Sequence, residues 1–239
     1  MGIFSRKNKD VKRGPGGAIS QGYVNEAAAK KAFTALPVDE FTYRLSSKDP
    51  TPGGGGAAAL AGALGAALGG MVANLTIGRQ KYADIEDEVQ SIKVALYRVQ
   101  KELLGLVEKD AKVFSPLAGA YRMASGTEEE KAEKERVMQA CLKEASLVPL
   151  EIMEKCGEAM PLIEKLAEKG SVLAISDAGC AAAILKSAIL SAWLNVRINI
   201  RLIKDEKFVR ETEDQGQKLL MAYLPMADKL YDYVAAKLQ

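Results

Sequence analysis

The absence of histidine is the first chemical constraint in this sequence of 239 residues. Without an imidazole, Ser-His-Asp and Cys-His nucleophile arrangements cannot be built, and histidine-ligated zinc or iron sites are excluded as well. Proton transfer must therefore run through Asp, Glu, Lys, Tyr or Cys. The three cysteines, Cys141, Cys156 and Cys180, form no Cys-x-x-Cys pair, so the sequence predicts neither a metal site nor a disulfide framework.

One aspartate stands where an apolar residue is expected. An apolar series at alternating spacings of four and three consists of Ile92, Leu96, Val99, Leu103, Leu106, Val113 and Leu117. Continuing that series through its gap places Asp110 on the apolar side of a helix, where an unpaired carboxylate is costly. Asp110 is either a functional acid/base or a structural residue that pairs with a basic side chain or reaches water at a helix end. Pro116 is expected to open this helix locally.

A run of glycines precedes an uncharged segment and forms the second candidate feature. Gly53, Gly54 and Gly55 follow Pro50-Thr51-Pro52, and the helix after them would present free backbone N–H groups to an anion or a polar ring. The spacing is neither that of a P-loop nor that of a Rossmann fingerprint. The alternative interpretation is a structural turn.

Four polar residues spaced by four form a line on a later, largely apolar helix. They are Ser187, Ser191, Asn195 and Asn199. The two asparagines are able to bind a polar ligand or to donate hydrogen bonds to a neighbouring helix.

Three charged residues are weaker candidates. Asp177 is either a ligand-binding residue or a helix N-terminal residue favoured by the dipole. Arg79 and Lys81, after the uncharged segment, would hold a ligand carboxylate or remain exposed charges.

No segment alternates apolar and polar residues as a strand does, so the predicted fold class is all-α. The predicted helices lie at 25–33, at Val38–Leu45, from Ala57 to about Gly78, from Ile85 to beyond Val113, and from a capping box at Thr127. A further helix is predicted from Pro149, after a break near 147–148, to a C′ residue at Gly170. The next is predicted from a cap at Ser176 or Asp177 to about Ile203. The last is predicted from Asp205 to Gln239, with a kink or break before Pro225.

Residues 50–78 carry no charge and are rich in Ala and Gly. They are long enough to span a membrane, but Ala and Gly contribute little transfer free energy, and no second spanning candidate is expected. We therefore predict a bundle of long helices around a buried Ala/Gly-rich helix, without a membrane.

The odd number and wide spacing of the cysteines predict a reducing, cytoplasmic setting, and the apolar and charged fractions of 48% and 27% predict a soluble globular protein. Lys plus Arg number 33 against 31 Asp plus Glu, which does not indicate a nucleic-acid binder. Residues 1–20 are predicted to be a disordered basic tail, and residues 21–239 a single helical domain.

Five ordered blocks resemble the cyclodeaminase/cyclohydrolase family over about residues 37–239. The first runs from Pro-Thr-Pro-Gly-Gly-Gly at 50–55 through Met71-Val-Ala-Asn-Leu-Thr76 to Gly-Arg-Gln-Lys-Tyr at 78–82. The others are 107–114, 148–150, Ser176-Asp-Ala-Gly179 and Asn195-Val-Arg-Ile-Asn199. Position 56 is Gly where the family usually has Ser, so a hydroxyl contact at the loop is missing.

The resemblance implies a helical subunit that assembles into dimers or larger oligomers and binds folate near the glycine-rich loop. The family includes methenyltetrahydrofolate cyclohydrolases, formiminotetrahydrofolate cyclodeaminases and the C-terminal half of a bifunctional formiminotransferase-cyclodeaminase. The Asp-Ala-x-x-Phe match assigns the family's catalytic acid/base to Asp110.

The resulting hypothesis is hydrolysis of 5,10-methenyltetrahydrofolate to 10-formyltetrahydrofolate, with no cofactor beyond the folate substrate. Asn195, Asn199 and Asp177 would position the pterin edge or the water, and Arg79 or Lys81 the glutamate tail. The nearest alternative is the cyclodeaminase reaction, which releases ammonia; the lack of a transferase part in the sequence favours the cyclohydrolase. A non-catalytic helical assembly protein is the alternative from another class.

Overall fold

The computed structural model describes residues 31–239, so the predicted basic tail and residues 25–30 of the first predicted helix lie outside the described part. The described part contains six α-helices: α1 (Val38–Leu45), α2 (Gly54–Thr76), α3 (Glu86–Tyr121), α4 (Glu128–Lys169), α5 (Ile175–Ile200) and α6 (Glu206–Lys237). Short 3₁₀ helices lie at Phe33–Ala35, Gln80–Ile85 and Val172–Ala174. No strand occurs in these residues, and the predicted all-α class is confirmed.

Helices α2 to α5 form a four-helix bundle in which neighbours run antiparallel. Along α2, Gly54 lies against Asn195 of α5 and Gly65 against Leu185, so the two helices run in opposite directions. α3 packs on the other side of α2, and α4 closes the ring between α3 and α5. α6 packs outside this ring, against α5 and α4. This antiparallel order brings the start of α2 to the same end of the bundle as the last turns of α5.

Glycines on the inward face of α2 permit close helix packing. A Cβ on Gly62 would lie 2.6 Å from Cys156 Sγ and 3.2 Å from the Leu103 side chain, so α3 and α4 approach the backbone of α2 directly. Cys156 is buried, and burial raises the pKa of its thiol to about 12. The Ala/Gly-rich helix is therefore part of the core, as predicted.

Two helices of the described part, Gly54–Thr76 and Val172–Ile200, are long and apolar enough to span a membrane by length and composition. Only one was expected from the sequence. About half of each apolar window is buried within the bundle, 56% and 50% respectively. Their composition is thus accounted for in part by helix packing.

The break predicted near 147–148 is wrong, because α4 runs without interruption through Pro149 and Pro161. Proline has no N–H, so Pro149 leaves the carbonyl of Ala145 without its helical partner. The side chain of Asn199 on α5 donates to that carbonyl at 2.9 Å. A neighbouring helix therefore supplies the hydrogen bond that the proline removes.

Other predicted helix ends are partly confirmed. The capping box at Thr127 is present in both directions with Glu130, and Asp205 caps α6 by accepting from the Phe208 N–H. The predicted caps Ser176 and Asp177 are wrong, because α5 continues from a 3₁₀ turn and begins at Ile175. The helices around Pro116 and Pro225 are unbroken.

Gly170 ends α4 as its C-cap residue, with an extended φ of −79° rather than the left-handed conformation of a C′ glycine. A Cβ there would lie 3.1 Å from the hydroxyl of Thr76, which accepts from the Ser171 N–H at 2.8 Å. A Cβ there would also lie 2.5 Å from the carbonyl oxygen of Leu166 in the last turn of α4, so close contacts with that turn and with the end of α2, not a positive φ, explain this glycine.

Candidate functional site

A cleft of about 170 Å³ opens at the end of the bundle where α2 begins. Elements α2, α3, α4 and α5 and the loop before α2 all contribute to its wall. The lining residues are Pro50, Gly53, Gly54, Gly55, Asp110, Val113, Phe114, Ala145, Asn195, Ile198 and Asn199. The structure thus brings together Asp110, the three glycines and the two asparagines, which are six of the nine residues predicted to catalyse the reaction or bind the substrate.

Asp110 acts as the N-terminal cap of a helix that is not its own. The N-cap residue of α2 is Gly53, which has no side chain to accept a hydrogen bond. Asp110 Oδ2 accepts instead from the N–H of Gly56, at 2.9 Å, in the third position of the helix. This N–H is one that a Ser, Thr or Asp at the N-cap would ordinarily satisfy.

The carboxylate of Asp110 is half-buried and has no cation beside it. No Lys or Arg nitrogen of residues 31–239 lies within 4.0 Å of its oxygens, so the salt-bridge interpretation finds no partner there. Burial raises the pKa of Asp110 above its usual value of 3.8, and the hydrogen bond from Gly56 opposes this shift. Asp110 also lies in the interior of α3 rather than at a helix end.

Two glycines are required by the side chains that lie over the start of α2. A Cβ on Gly55 would overlap the carboxylate of Asp110, and a Cβ on Gly54 would lie 3.0 Å from the amide nitrogen of Asn195. The N–H groups of Gly54 and Gly55 have no acceptor in the described part of the chain. They are available to a ligand at the positive end of the helix dipole.

Position 56 has room for a small side chain. A Cβ there would meet only ordinary contacts, 3.8 Å from Asp110 Oδ2 and 3.7 Å from Pro52. The serine expected from the family resemblance would thus fit, and its hydroxyl would be a second donor near Asp110. In this chain the donor is the backbone N–H of Gly56 alone.

The asparagines of α5 have different surroundings. Asn195 donates to the carbonyl of Ser191 at 2.8 Å, and its Oδ1 accepts no hydrogen bond from residues 31–239. Asn199 is buried and donates to the carbonyls of Ala145 and Asn195. The interhelix interpretation is therefore confirmed for Asn199, which also lines the cleft.

A comparison with known protein families finds one match over most of the chain. Residues 37–218 match the model of the family described as formiminotransferase-cyclodeaminase. The chain belongs to this family. The resemblance inferred from the five sequence blocks is thereby confirmed.

Relatives within the family differ in length and in name. A methenyltetrahydrofolate cyclohydrolase from Methylorubrum extorquens is 38% identical over 84% of this chain and 96% of its own. A formimidoyltransferase-cyclodeaminase from Gallus gallus is 32% identical over 80% of this chain and 35% of its own. This chain therefore spans about a third of the formimidoyltransferase-cyclodeaminase.

A solved structure has the same fold. The crystal structure of formiminotetrahydrofolate cyclodeaminase from Thermotoga maritima superposes with a TM-score of 0.73 at 30% identity. The match covers 85% of this chain and 96% of that one. The all-α bundle is thus shared with a solved member of the family.

Three predicted site residues are not in the cleft of their own subunit. Arg79 and Lys81 follow the far end of α2, which at 23 residues is about 35 Å long. Asp177 precedes Asn195 by about 27 Å along α5. The hydroxyl of Tyr82 accepts from the Val172 N–H at 3.3 Å, so these segments neighbour each other at the opposite end of the bundle. Within one subunit these three residues do not line the cleft that contains Asp110, and their substrate-binding roles stay predictions.

Apolar residues of the cleft wall were not predicted. Val113 and Phe114 follow Asp110 by three and four positions and therefore lie on the same side of α3, and Ile198 of α5 lines the cleft with them. Their helical spacing from Asp110 was the available signal. Ser187 and Ser191, by contrast, are exposed and do not line the cleft.

Proposed function

We propose that this protein hydrolyses 5,10-methenyltetrahydrofolate to 10-formyltetrahydrofolate. The observation that carries the proposal is the half-buried, cation-free carboxylate of Asp110 beside unoccupied N–H donors at the start of α2. The substrate has a positively charged amidinium carbon between two nitrogens, so it would supply the counter-charge that this carboxylate lacks. The 38% identity to a methenyltetrahydrofolate cyclohydrolase, over 96% of that protein's length, supports this reaction.

Asp110 would act first as a general base and then as a general acid. A water oxygen bonds to the amidinium carbon while one of its protons passes to the Asp110 carboxylate. The bond from that carbon to the ring nitrogen then breaks, and its electron pair returns to the nitrogen, which takes the proton from Asp110. Loss of the remaining hydroxyl proton to solvent leaves the formyl group, so the net reaction consumes one water and releases one proton.

The rest of the cleft would orient the substrate. The N–H groups of Gly54 and Gly55 are hydrogen-bond donors, and Oδ1 of Asn195 is an acceptor without a protein donor in the described chain. Such groups suit the polar edge of a pterin ring. Val113 and Phe114 would cover one side of the ring and limit the access of bulk water.

The donor set of the cleft supports a reaction that needs only the folate. Its lining contains one carboxylate and no sulfur or imidazole ligand. We propose that the protein acts in the cytoplasm, and the three free cysteines are consistent with a reducing compartment.

A cyclodeaminase reaction is the second candidate, favoured by the similarity to the Thermotoga maritima structure. In that reaction the formimino group closes onto a ring nitrogen and ammonia leaves. The substrate would again be cationic, and Asp110 would again transfer the proton.

Two assays on the purified protein separate these functions. Loss of the near-ultraviolet absorbance of methenyltetrahydrofolate, faster than its uncatalysed hydrolysis, is the expected result. Ammonia release from formiminotetrahydrofolate without that loss would establish the cyclodeaminase instead. If the protein shows neither activity, the remaining candidate is the non-catalytic assembly protein.

A further inference from the structure

Two prolines lie inside α4, and the carbonyls that they leave open have different surroundings. Because proline has no N–H, Pro149 frees the carbonyl of Ala145 and Pro161 frees that of Gly157. The Ala145 carbonyl accepts from the side chain of Asn199 at 2.9 Å, whereas no side chain of residues 31–239 donates to the Gly157 carbonyl. Ala145 also lines the cleft, so the opening at Pro149 is used by another helix beside the candidate site.

This carbonyl fixes the orientation of the Asn199 amide. The Nδ2 group has two protons, and both are used: one is donated to Ala145 and the other to the carbonyl of Asn195, at 3.0 Å. A reversed amide would place Oδ1 against two carbonyl oxygens, which would repel it. Asn199 therefore has one stable orientation, in which Oδ1 is turned away from both carbonyls.

Oδ1 of Asn199 is an acceptor at the surface of the cleft. Asn199 is 8% exposed and lines the cleft, and its Oδ1 accepts no hydrogen bond from residues 31–239. It is not among the enclosed side-chain atoms that lack a hydrogen bond, which in this part of the chain belong to Glu102 and Glu135. The small exposed surface of this oxygen therefore belongs to the cleft.

The polar side chains of the cleft present oxygen atoms to a ligand. Asn195 donates through Nδ2 to Ser191, which leaves its Oδ1 free, and an ionised Asp110 is an acceptor. The donors available in the wall are the backbone N–H groups of Gly54 and Gly55. A ligand that pairs with both kinds of group needs an edge with several donors next to an acceptor.

We propose that Pro149 is a positioning residue for the substrate ring: it frees the Ala145 carbonyl, which holds Asn199 so that Oδ1 accepts from the 2-amino group of a pterin. This inference rests on the proposed function. The 2-amino group and N3–H of a pterin are adjacent donors, as the asparagine oxygens require. The cleft of about 170 Å³ is smaller than the roughly 300 to 1,000 Å³ of pockets that enclose a whole drug-sized ligand, so it suits the ring rather than the complete folate.

This orientation of the ring agrees with the position of Asp110. In a pterin the carbonyl at C4 is an acceptor beside N5, one of the two nitrogens that bear the reacting carbon. If that carbonyl accepts from the N–H groups of Gly54 and Gly55, N5 lies toward the Asp110 carboxylate, which lies over Gly55. The acceptors on α5 would thus set the ring so that its reacting side meets the catalytic group.

A binding measurement with matched proline variants tests the role of Pro149. The probes are 5-formyltetrahydrofolate and its analogue with a methyl group in place of the 2-amino group, each titrated into the protein by calorimetry. Wild type is expected to bind the first about tenfold more tightly, because the analogue leaves Oδ1 of Asn199 without a donor. In Pro149→Ala the new N–H competes for the Ala145 carbonyl and loosens the amide, so this ratio should fall below about threefold. Pro161→Ala, the same substitution about 18 Å further along α4, should retain the wild-type ratio.

Stability distinguishes positioning from a structural role. Alanine is a better helix former than proline, so both variants should match or exceed the unfolding midpoint of wild type. Asn199→Ala is made in the Pro149→Ala background, where the Ala145 carbonyl has a backbone donor, and should bring the ratio to about one. A folded Pro149→Ala protein with the wild-type ratio overturns the positioning role, as does an equal loss in Pro161→Ala.

Failure of the proposed function has a different signature, because binding is measured without turnover. A protein that distinguishes the two probes through Pro149 but does not hydrolyse methenyltetrahydrofolate would retain the positioning role and overturn the reaction. A protein that hydrolyses this substrate but binds both probes equally would retain the reaction and overturn the positioning role. Binding of neither probe would also overturn the positioning role.

Discussion

Asp110, on α3, accepts a hydrogen bond of 2.9 Å from the backbone N–H of Gly56, 54 residues earlier in the chain and three positions into α2. One carboxylate therefore caps a core helix and also lines the cleft. Burial raises its pKa, and the hydrogen bond lowers it. The hydrogen bond also holds the carboxylate at the helix start, where a cationic substrate would meet it.

Substitutions of Asp110 should separate its contribution to stability as the cap of α2 from its role in catalysis. Asparagine retains an oxygen that accepts from Gly56, whereas alanine leaves that N–H without a protein acceptor. We expect Asp110→Ala to be less stable than Asp110→Asn by about 1 kcal/mol, the usual contribution of an N-cap. Urea unfolding of both variants at neutral pH measures the difference, and equal stabilities would show that the bond does not cap α2.

The raised pKa of Asp110 predicts a particular dependence of stability on pH. Because the folded state holds this proton more tightly than the unfolded chain, the contribution of Asp110 to the free energy of unfolding falls as pH rises from 3.8 through the folded pKa. The stability of Asp110→Asn relative to wild type should therefore increase from acid to neutral pH. A difference that is constant with pH, or that changes in the opposite direction, would contradict the raised pKa.

Catalysis should depend on the same ionisation. Since the carboxylate must be ionised to accept a proton from water, kcat/KM should rise with pH and level off above a pKa higher than 3.8. The pH profile of methenyltetrahydrofolate hydrolysis measures this midpoint. An acid limb that persists in the residual activity of Asp110→Asn would assign the ionisation to another group.

Two adjacent glycines should respond differently to alanine. A methyl group on Gly55 overlaps the Asp110 carboxylate, whereas one on Gly56 meets only ordinary contacts at 3.7 Å and beyond. Gly55→Ala should lower kcat/KM by about a hundredfold through displacement of Asp110, and Gly56→Ala should change it by less than about threefold. Similar rates for the two variants would show that the close contact does not position the carboxylate.

A double-mutant cycle should link Asn199 to Pro149. Removal of the Asn199 amide leaves the carbonyl of Ala145 without a donor, which costs about 1 to 3 kcal/mol. In a Pro149→Ala background the residue at 149 has an N–H that can bond to this carbonyl, so Asn199→Ala should cost less there. If the effects of the two substitutions on the free energy of unfolding are additive, Asn199 and Pro149 are not coupled.

Much of the fold is predictable from the sequence, and the failures have physical causes. The bounds of α1 and the caps at Thr127 and Asp205 are predictable because they depend on interactions between residues that are close together in the sequence. The continuity of α4 does not, because the hydrogen bond that compensates for Pro149 comes from Asn199, 50 positions away in the chain. Tertiary contacts of this kind have no local signal.

In the candidate site, too, some features are predictable from local sequence and others depend on tertiary contacts. The position of Asp110 on an apolar seam is visible in residue spacing, and the structure places it in the cleft. Its partner Gly56 is not visible, because the sequence does not tell which helix start faces α3. Arg79 and Lys81 were grouped with the cleft although the length of α2 alone separates them from Gly54 by about 35 Å.

The rate at which Asp110→Asn hydrolyses 5,10-methenyltetrahydrofolate tests the central claim most directly. With the unfolding midpoint preserved, kcat/KM is expected to fall by about 10² to 10⁴, the range for loss of a general acid/base. A folded Asp110→Asn protein that hydrolyses the substrate at the wild-type rate would contradict the assignment of Asp110 as the catalytic group.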